Sequence, residues 1–212
     1  RMALELETPY LMPGEIIAFT RTMPNLPFLY SEEEWHAIRA AHFIHESGNV
    51  SNLSPDYGKV IACGLLALRD RLSESEEHAA MRLSIDAILA LTARYEAAAR
   101  EAGDHVLADV LARVPAHGAR TFREALQSFW FTFLMACPSP TATAGRFDQY
   151  MYPYYKKDRD EGIYTREEAF DLLCDFFLSF NKDSDMYYGA QQGDNGQSMV
   201  LGGRDIDGKS QY

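Results

Sequence analysis

Gly145-Arg146-Phe147-Asp148-Gln149-Tyr150-Met151-Tyr152-Pro153-Tyr154-Tyr155-Lys156 is the stretch on which the fold of this chain turns. An Arg-x-Asp pair beside a glycine, followed by four tyrosines and a proline, is too concentrated to be an accident of composition. Gly145 permits a close backbone approach, and Arg146 and Asp148 are suited to fix a loop through charge-assisted hydrogen bonds. The tyrosines combine an apolar body with a polar tip, so they pack as amphipathic wedges.

Working outward, the chain reads as mainly helical with a few short strands. Capping boxes at Ser31-x-x-Glu34, Thr121-x-x-Glu124 and Thr165-x-x-Glu168 open helices running to about residue 43, over 125–137 and over 169–180. Residues 56–72 read as one helix behind Pro55, with Val60, Cys63, Gly64 and Ala67 along one side. The longest helix covers 75–102 and stops at Gly103; Asp104 caps a short one that Pro115 ends. Residues 15–19 and 199–203 carry strand signals, and 181–198 read as loop. The 125–137 helix is apolar nearly all round, through Phe129, Trp130, Phe131, Phe133, Leu134 and Met135. Such a helix belongs at the centre of a larger protein. It and the partnerless strand at 199–203 are therefore expected to be uncovered, adhesive surfaces. With Arg1 in place of an initiator Met, and a turn at Asp207-Gly208 just before the end, a chain cut short is the expectation.

Composition excludes several classes. The chain has 212 residues, 47% hydrophobic and 24% charged, with a net charge of −11. That balance suits a soluble domain and opposes nucleic-acid binding, which needs clustered Lys and Arg. No apolar run reaches the length of a membrane span and no signal-peptide pattern is present, so a cytoplasmic protein without membrane contact is expected. Cys63, Cys137 and Cys174 form no CxxC pair; Cys63 and Cys174 stand among apolar neighbours and read as core. His42-x-x-His45-Glu46 has ligand spacing on a helix but no third ligand, so no bound metal is expected. There is no phosphate loop, dinucleotide fingerprint or serine nucleophile elbow.

The quoted stretch resembles the GR[FM]DQYxYPYY signature of pyruvate formate-lyase-like glycyl radical enzymes. Ser54-Pro55-Asp56-Tyr57-x-Lys59-Val60 followed by Gly64-Leu65 is similar to that family's PDYxKVLxxGL. Thr121-Phe122-x-Glu124-Ala125-Leu126-Gln127-Ser128-Phe129-Trp130-Phe131 resembles its TFxEALQxxWF helix. Thr165-Arg166-Glu167-Glu168-Ala169 and Gly202-Gly203-x-Asp205-x-Asp207-Gly208 complete the series, in order and spacing, from about residue 8 onward.

The resemblance implies that residues 1–212 are a single partial domain, a piece of an α/β ten-stranded barrel. It implies a thiyl radical on a loop cysteine, generated by a glycyl radical that a separate iron–sulfur, S-adenosylmethionine-dependent activating enzyme installs. It further implies a small-molecule substrate, the remainder of the barrel as partner, and a homodimer when full length. No cysteine here stands in the Gly-Cys-x-Glu setting and no Arg-Val-x-Gly-Tyr segment exists, so the isolated chain is expected to bind no cofactor and to be inactive. Substrate contacts are expected from Asn52, His45, Glu46, Thr141, Gln197 and Ser198, with Asn195 nearby, while Arg146, Asp148 and Tyr150 form the structural motif. Asn52 stands where relatives carry a His or Asp and cannot titrate; Pro140-Thr141 replaces a His-Ser pair. The alternative for Asn52 and Thr141 is that they tie down loops.

Two classes of function follow. One is a radical dehydratase or C–X lyase acting on a small polar substrate, with a C–C lyase of the formate C-acetyltransferase type as runner-up. The other is a non-catalytic helical scaffold or degenerate subunit.

Overall fold

The helix that the sequence marks as apolar on every side is the axis of the molecule. The structure, a computed structural model, describes residues 5–20, 31–41, 54–136, 143–184, 198–204 and 208–209. Among these residues the elements run α1 (Glu32–Ala41), α2 (Tyr57–Cys63), α3 (Leu65–Arg69), α4 (Glu76–Glu101), α5 (His105–Arg113), α6 (Phe122–Ala136), β1 (Thr143–Gly145), α7 (Phe147–Asp160), α8 (Arg166–Ser184) and β2 (Ser198–Met199). Phe129, Trp130 and Phe131 of α6 are fully buried, and Phe133 and Leu134 nearly so. Each such side chain contributes about 2–3 kcal/mol relative to exposure. The expectation that α6 would be uncovered is thus corrected: α2, α5 and α7 pack against it, and α8 closes it through Phe176 and Phe180.

Local signals explain most element boundaries. Ser75 caps α4 by accepting from the His78 amide, and Asp104 caps α5 by accepting from the Leu107 amide. Both halves of the capping box form at Ser31/Glu34 and at Thr165/Glu168. At α6 the box is modified: Thr121 Oγ1 accepts from the Glu124 amide, but the Glu124 carboxylate reaches back to the Arg120 amide and guanidinium. The single helix expected over 56–72 is instead two, broken at Gly64 with φ +78°. There the chain crosses residues 115–119 so closely that a Cβ on Gly64 would lie 2.4 Å from the His117 carbonyl carbon, and one on Gly118 2.2 Å from the Ala62 oxygen. The amides of Leu65, Leu66 and Ala119 tie the crossing together through Pro115, Ala116 and Ile61 carbonyls.

Residues 15–19, which carry strand signals, are buried but form no strand. Their backbone is bonded by side chains. The Ala18 amide donates to Gln127 Oε1 at 2.8 Å, and Gln127 Nε2 donates to the Ala18 carbonyl at 2.9 Å. Trp130 Nε1 donates to the Phe19 carbonyl and Arg123 Nη2 to that of Ile16. Phe19 adopts φ +96°, a strained value for a non-glycine, held by its ring packing in one cluster with Tyr95 and Phe131. A helix supplying side-chain donors and acceptors replaces the neighbouring strand that the apolar pattern suggests.

The second correction concerns the C-terminal strand. Shorter than expected, β2 has a partner: it pairs in parallel with β1, Thr143 opposite Ser198 and Gly145 opposite Met199. Exposed apolar surface lies elsewhere, on α8 at Phe170, Phe177 and Leu178 and on the segment after β2 at Val200 and Leu201. Cys174 lies on that same exposed face of α8, so its reading as a core residue fails, while Cys63 is half-buried. No helix among the described residues is long and apolar enough to cross a membrane.

Candidate functional site

β1 delivers the chain to the signature stretch. Gly145 ends the strand at φ +58°, a conformation that favours glycine, and a Cβ there would approach Ser54 Oγ to 3.2 Å. Arg146 then occupies the N-cap position of α7 but makes no side-chain cap bond. Its guanidinium is engaged across the chain: Nη2 donates to the carbonyls of Gly202 and Arg204, at 3.0 and 2.9 Å. Asp148, in the first turn of α7, accepts from the Gly202 amide at 2.7 Å. One residue of the Gly202-Gly203 pair is therefore held at both ends of its backbone by charged partners, the stronger kind of hydrogen bond.

Three further bonds complete the junction. The Val200 amide donates to the Gly145 carbonyl at 2.9 Å, and Thr143 Oγ1 donates to the Ser198 carbonyl at 3.1 Å. Tyr150 Oη donates to the Ala144 carbonyl at 2.7 Å, folding α7 back over β1. Burial, then the Asp148 charge, pushes the Tyr150 hydroxyl well above the ordinary tyrosine range, so it stays a donor at any physiological pH. Phe147 anchors the start of α7 by stacking on Phe176 and meeting Phe129 edge-on. Pro153 sits inside α7, where the sequence suggests no helix.

Of the expected substrate residues, Asn52, His45, Glu46, Thr141 and Gln197, with Asn195, lie outside the described residues, as do His42 and Cys137. Ser198 is described: it is exposed, in β2, opposite Thr143. The described residues bordering the others converge on one place. Ser54 follows the 42–53 stretch and lies beside Gly145; Thr143 follows Thr141 closely; Ser198 follows Gln197. The strand pair is the point at which these three stretches join the folded body. Among the described residues no group of three or more His, Cys, Asp or Glu could hold a metal ion.

An apolar groove of about 240 Å³ lies behind the junction, between α7 and α8, lined by Phe147, Met151, Tyr155, Leu173 and Phe177 and bounded by Leu201. Its chemistry suits apolar side chains and gives a polar molecule little to bind. Sequence reasoning missed it because its walls come from two helices and a segment about fifty residues from the signature.

Residues 19–212 match the pyruvate formate lyase-like family. Isethionate sulfite-lyase of Bilophila wadsworthia (strain 3_1_6) is 32% identical over 148 residues, 60% of this chain and 18% of that protein. Trans-4-hydroxy-L-proline dehydratase of Clostridioides difficile is 28% identical over 127 residues, 53% of this chain and 16% of that protein. Among solved structures, a glycyl radical enzyme from Archaeoglobus fulgidus superposes with a TM-score of 0.76 at 20% identity, over 99% of this chain and 39% of that one. The last likeness is one of fold. The chain thus spans less than a quarter of the length of these two curated relatives.

Proposed function

The chain belongs to the pyruvate formate lyase-like family, and from that premise we propose that the protein carrying it is a glycyl radical dehydratase or C–X lyase acting on a small polar substrate. The observation that carries the reading is the grip of Arg146 and Asp148 on Gly202, which joins β1 to β2 as a parallel pair. Parallel pairs are stable only when extended and covered on both faces, so this one is the start of a barrel wall rather than a finished sheet. The remainder of the barrel and a second copy of the protein would supply that cover.

In this proposal the chain contributes one wall of the substrate site. Asn52, Thr141, Gln197 and Ser198 orient the substrate through hydrogen bonds, and His45 and Glu46 substitute for the base that Asn52 cannot be. The glycyl radical, installed by a separate iron–sulfur enzyme, supplies hydrogen abstraction. No residue here is assigned that role: Cys63 ends α2 at the Gly118 crossing, and Cys174 faces outward from α8. The names of the relatives support elimination: a sulfite-lyase and a dehydratase both expel a group from a small molecule.

The test is product analysis with the intact, activated protein offered isethionate, trans-4-hydroxy-L-proline, glycerol, and pyruvate with coenzyme A. Elimination from any of the first three supports the proposal. Cleavage of pyruvate alone would establish the C–C lyase instead.

A further inference from the structure

Asp158 is 1% exposed, in the last turn of α7, and spans a junction that the strand pair does not touch. Its Oδ2 accepts from the Phe122 amide, the first of α6, at 2.6 Å, while its Oδ1 is buried with no hydrogen-bond partner. A carboxylate that is nine-tenths buried with one oxygen lacking a donor is a costly group to leave ionised.

Of the charged groups around it only Lys157 favours the anion, and it makes no ion pair with Asp158. From α7, Lys157 Nζ turns to the Arg120 carbonyl at 3.0 Å and Arg159 to the Tyr164 carbonyl at 3.5 Å. Beyond the helix end, Glu161 adds a like charge, and Lys157 also faces it. From α6, buried Glu124 repels it and is itself paired with Arg120 at 2.7 Å, while Arg123 is spent on the Ile16 carbonyl. Tyr164, from the turn between α7 and α8, faces Asp158 with a hydroxyl that burial keeps protonated. The C-terminal end of α7 opposes an anion there and the N-terminal end of α6 favours one, so burial of the carboxylate and its unpartnered Oδ1 tip the balance.

We propose that Asp158 is a proton-binding latch: neutral, it closes the contact between the end of α7 and the start of α6, and ionised, it loosens it. Burial is the main cause holding its carboxyl above the ordinary carboxylate range, with the Phe122 amide opposing. The sign is fixed by that direction. The latch contributes fully below the ordinary aspartate range and loses its contribution as pH rises through the elevated value. Tyr150 near one end and Asp158 at the other tie down α7, the helix that grips Gly202. The latch does not depend on the proposed activity.

The test compares thermal unfolding of the intact protein with its Asp158→Asn variant between pH 4.5 and 8. The wild-type Tm should fall relative to the variant as pH rises, opening a gap that widens steadily across the range. Parallel curves would overturn the proposal. Should Asp158→Asn fail to fold, hydrogen exchange at the Phe122 amide of the wild type serves, after correction for the intrinsic rate. Its protection should drop several-fold across the same range; constant protection would overturn the latch.

Discussion

Asp148 accepts from the Gly202 amide at 2.7 Å, while Arg146, two residues earlier in the chain, takes the carbonyl of that same glycine at 3.0 Å. Two short strands 55 residues apart are fixed by this grip more than by their own ladder, which is three residues against two. Replacing Asp148 with Ala should destabilise the protein by about 1–3 kcal/mol, since a half-buried amide loses its carboxylate acceptor. Arg146→Lys should cost less, because an ammonium retains one carbonyl contact of the two. Denaturant midpoints give the ranking, and exchange of the Gly202 amide should rise at least about tenfold in Asp148→Ala alone.

A second prediction concerns the crossing of two segments of the chain at Gly64 and Gly118. A Cβ on Gly118 would meet the Ala62 oxygen at 2.2 Å, a backbone atom that cannot swing aside. Gly118→Ala should therefore cost on the order of 3–5 kcal/mol. Gly103→Ala is the control: its φ is +79° but nothing lies within 4 Å, so about 1 kcal/mol of backbone strain is the whole expected effect. Equal losses at the two sites would contradict the close crossing.

Tyr95 predicts an alkaline limit. It is fully buried, donates to the Thr20 carbonyl at 3.2 Å, and burial pushes its hydroxyl up to about 12. With a folded value above the unfolded one, its contribution is complete below about pH 10 and lost as pH rises through 12. The loss is roughly 2–3 kcal/mol over that window. In Tyr95→Phe the slope of stability against pH should be shallower, though Tyr150, Tyr154 and Tyr164 keep some of it. An unchanged slope, measured by urea unfolding at pH 9.5, 10.5 and 11.5, would rule out this role.

Much of this was legible in the sequence, and the omissions have physical reasons. The Arg146 and Asp148 pair announced a fixed loop because charge and glycine stand together, and the caps at Ser31, Asp104 and Thr165 are local chemistry. β1 was not legible: Thr143-Ala144-Gly145 is too short for a period, and its pairing is set by residues far away. The helix α7 was hidden by Pro153 and by a run of tyrosines with weak helical preference. Cys174 was misplaced because Leu172, Leu173 and Phe176 surround it in sequence, whereas the helix turns it toward Phe170, Phe177 and Leu178 on the outer face. The roles of Gln127 and Asp158 depend on partners 109 and 36 residues away, beyond any local pattern.

Asn52 carries the prediction for substrate binding. If it bonds the substrate, Asn52→Ala should lower kcat/KM of the intact enzyme about tenfold to a hundredfold at equal radical content. Asn52→Asp should help only a dehydration that needs a nearby base. Unchanged kinetics would leave Asn52 as a loop tie.

The central claim, that this chain is part of a glycyl radical eliminating enzyme, is tested most directly by electron spin resonance. The intact protein is treated anaerobically with an iron–sulfur, S-adenosylmethionine-dependent activating enzyme, then examined for a carbon-centred glycyl signal that persists while product forms. The account predicts a glycyl radical on the activated protein and a rate of product formation that scales with the radical content. Product formed at full rate by protein that carries no radical would contradict it.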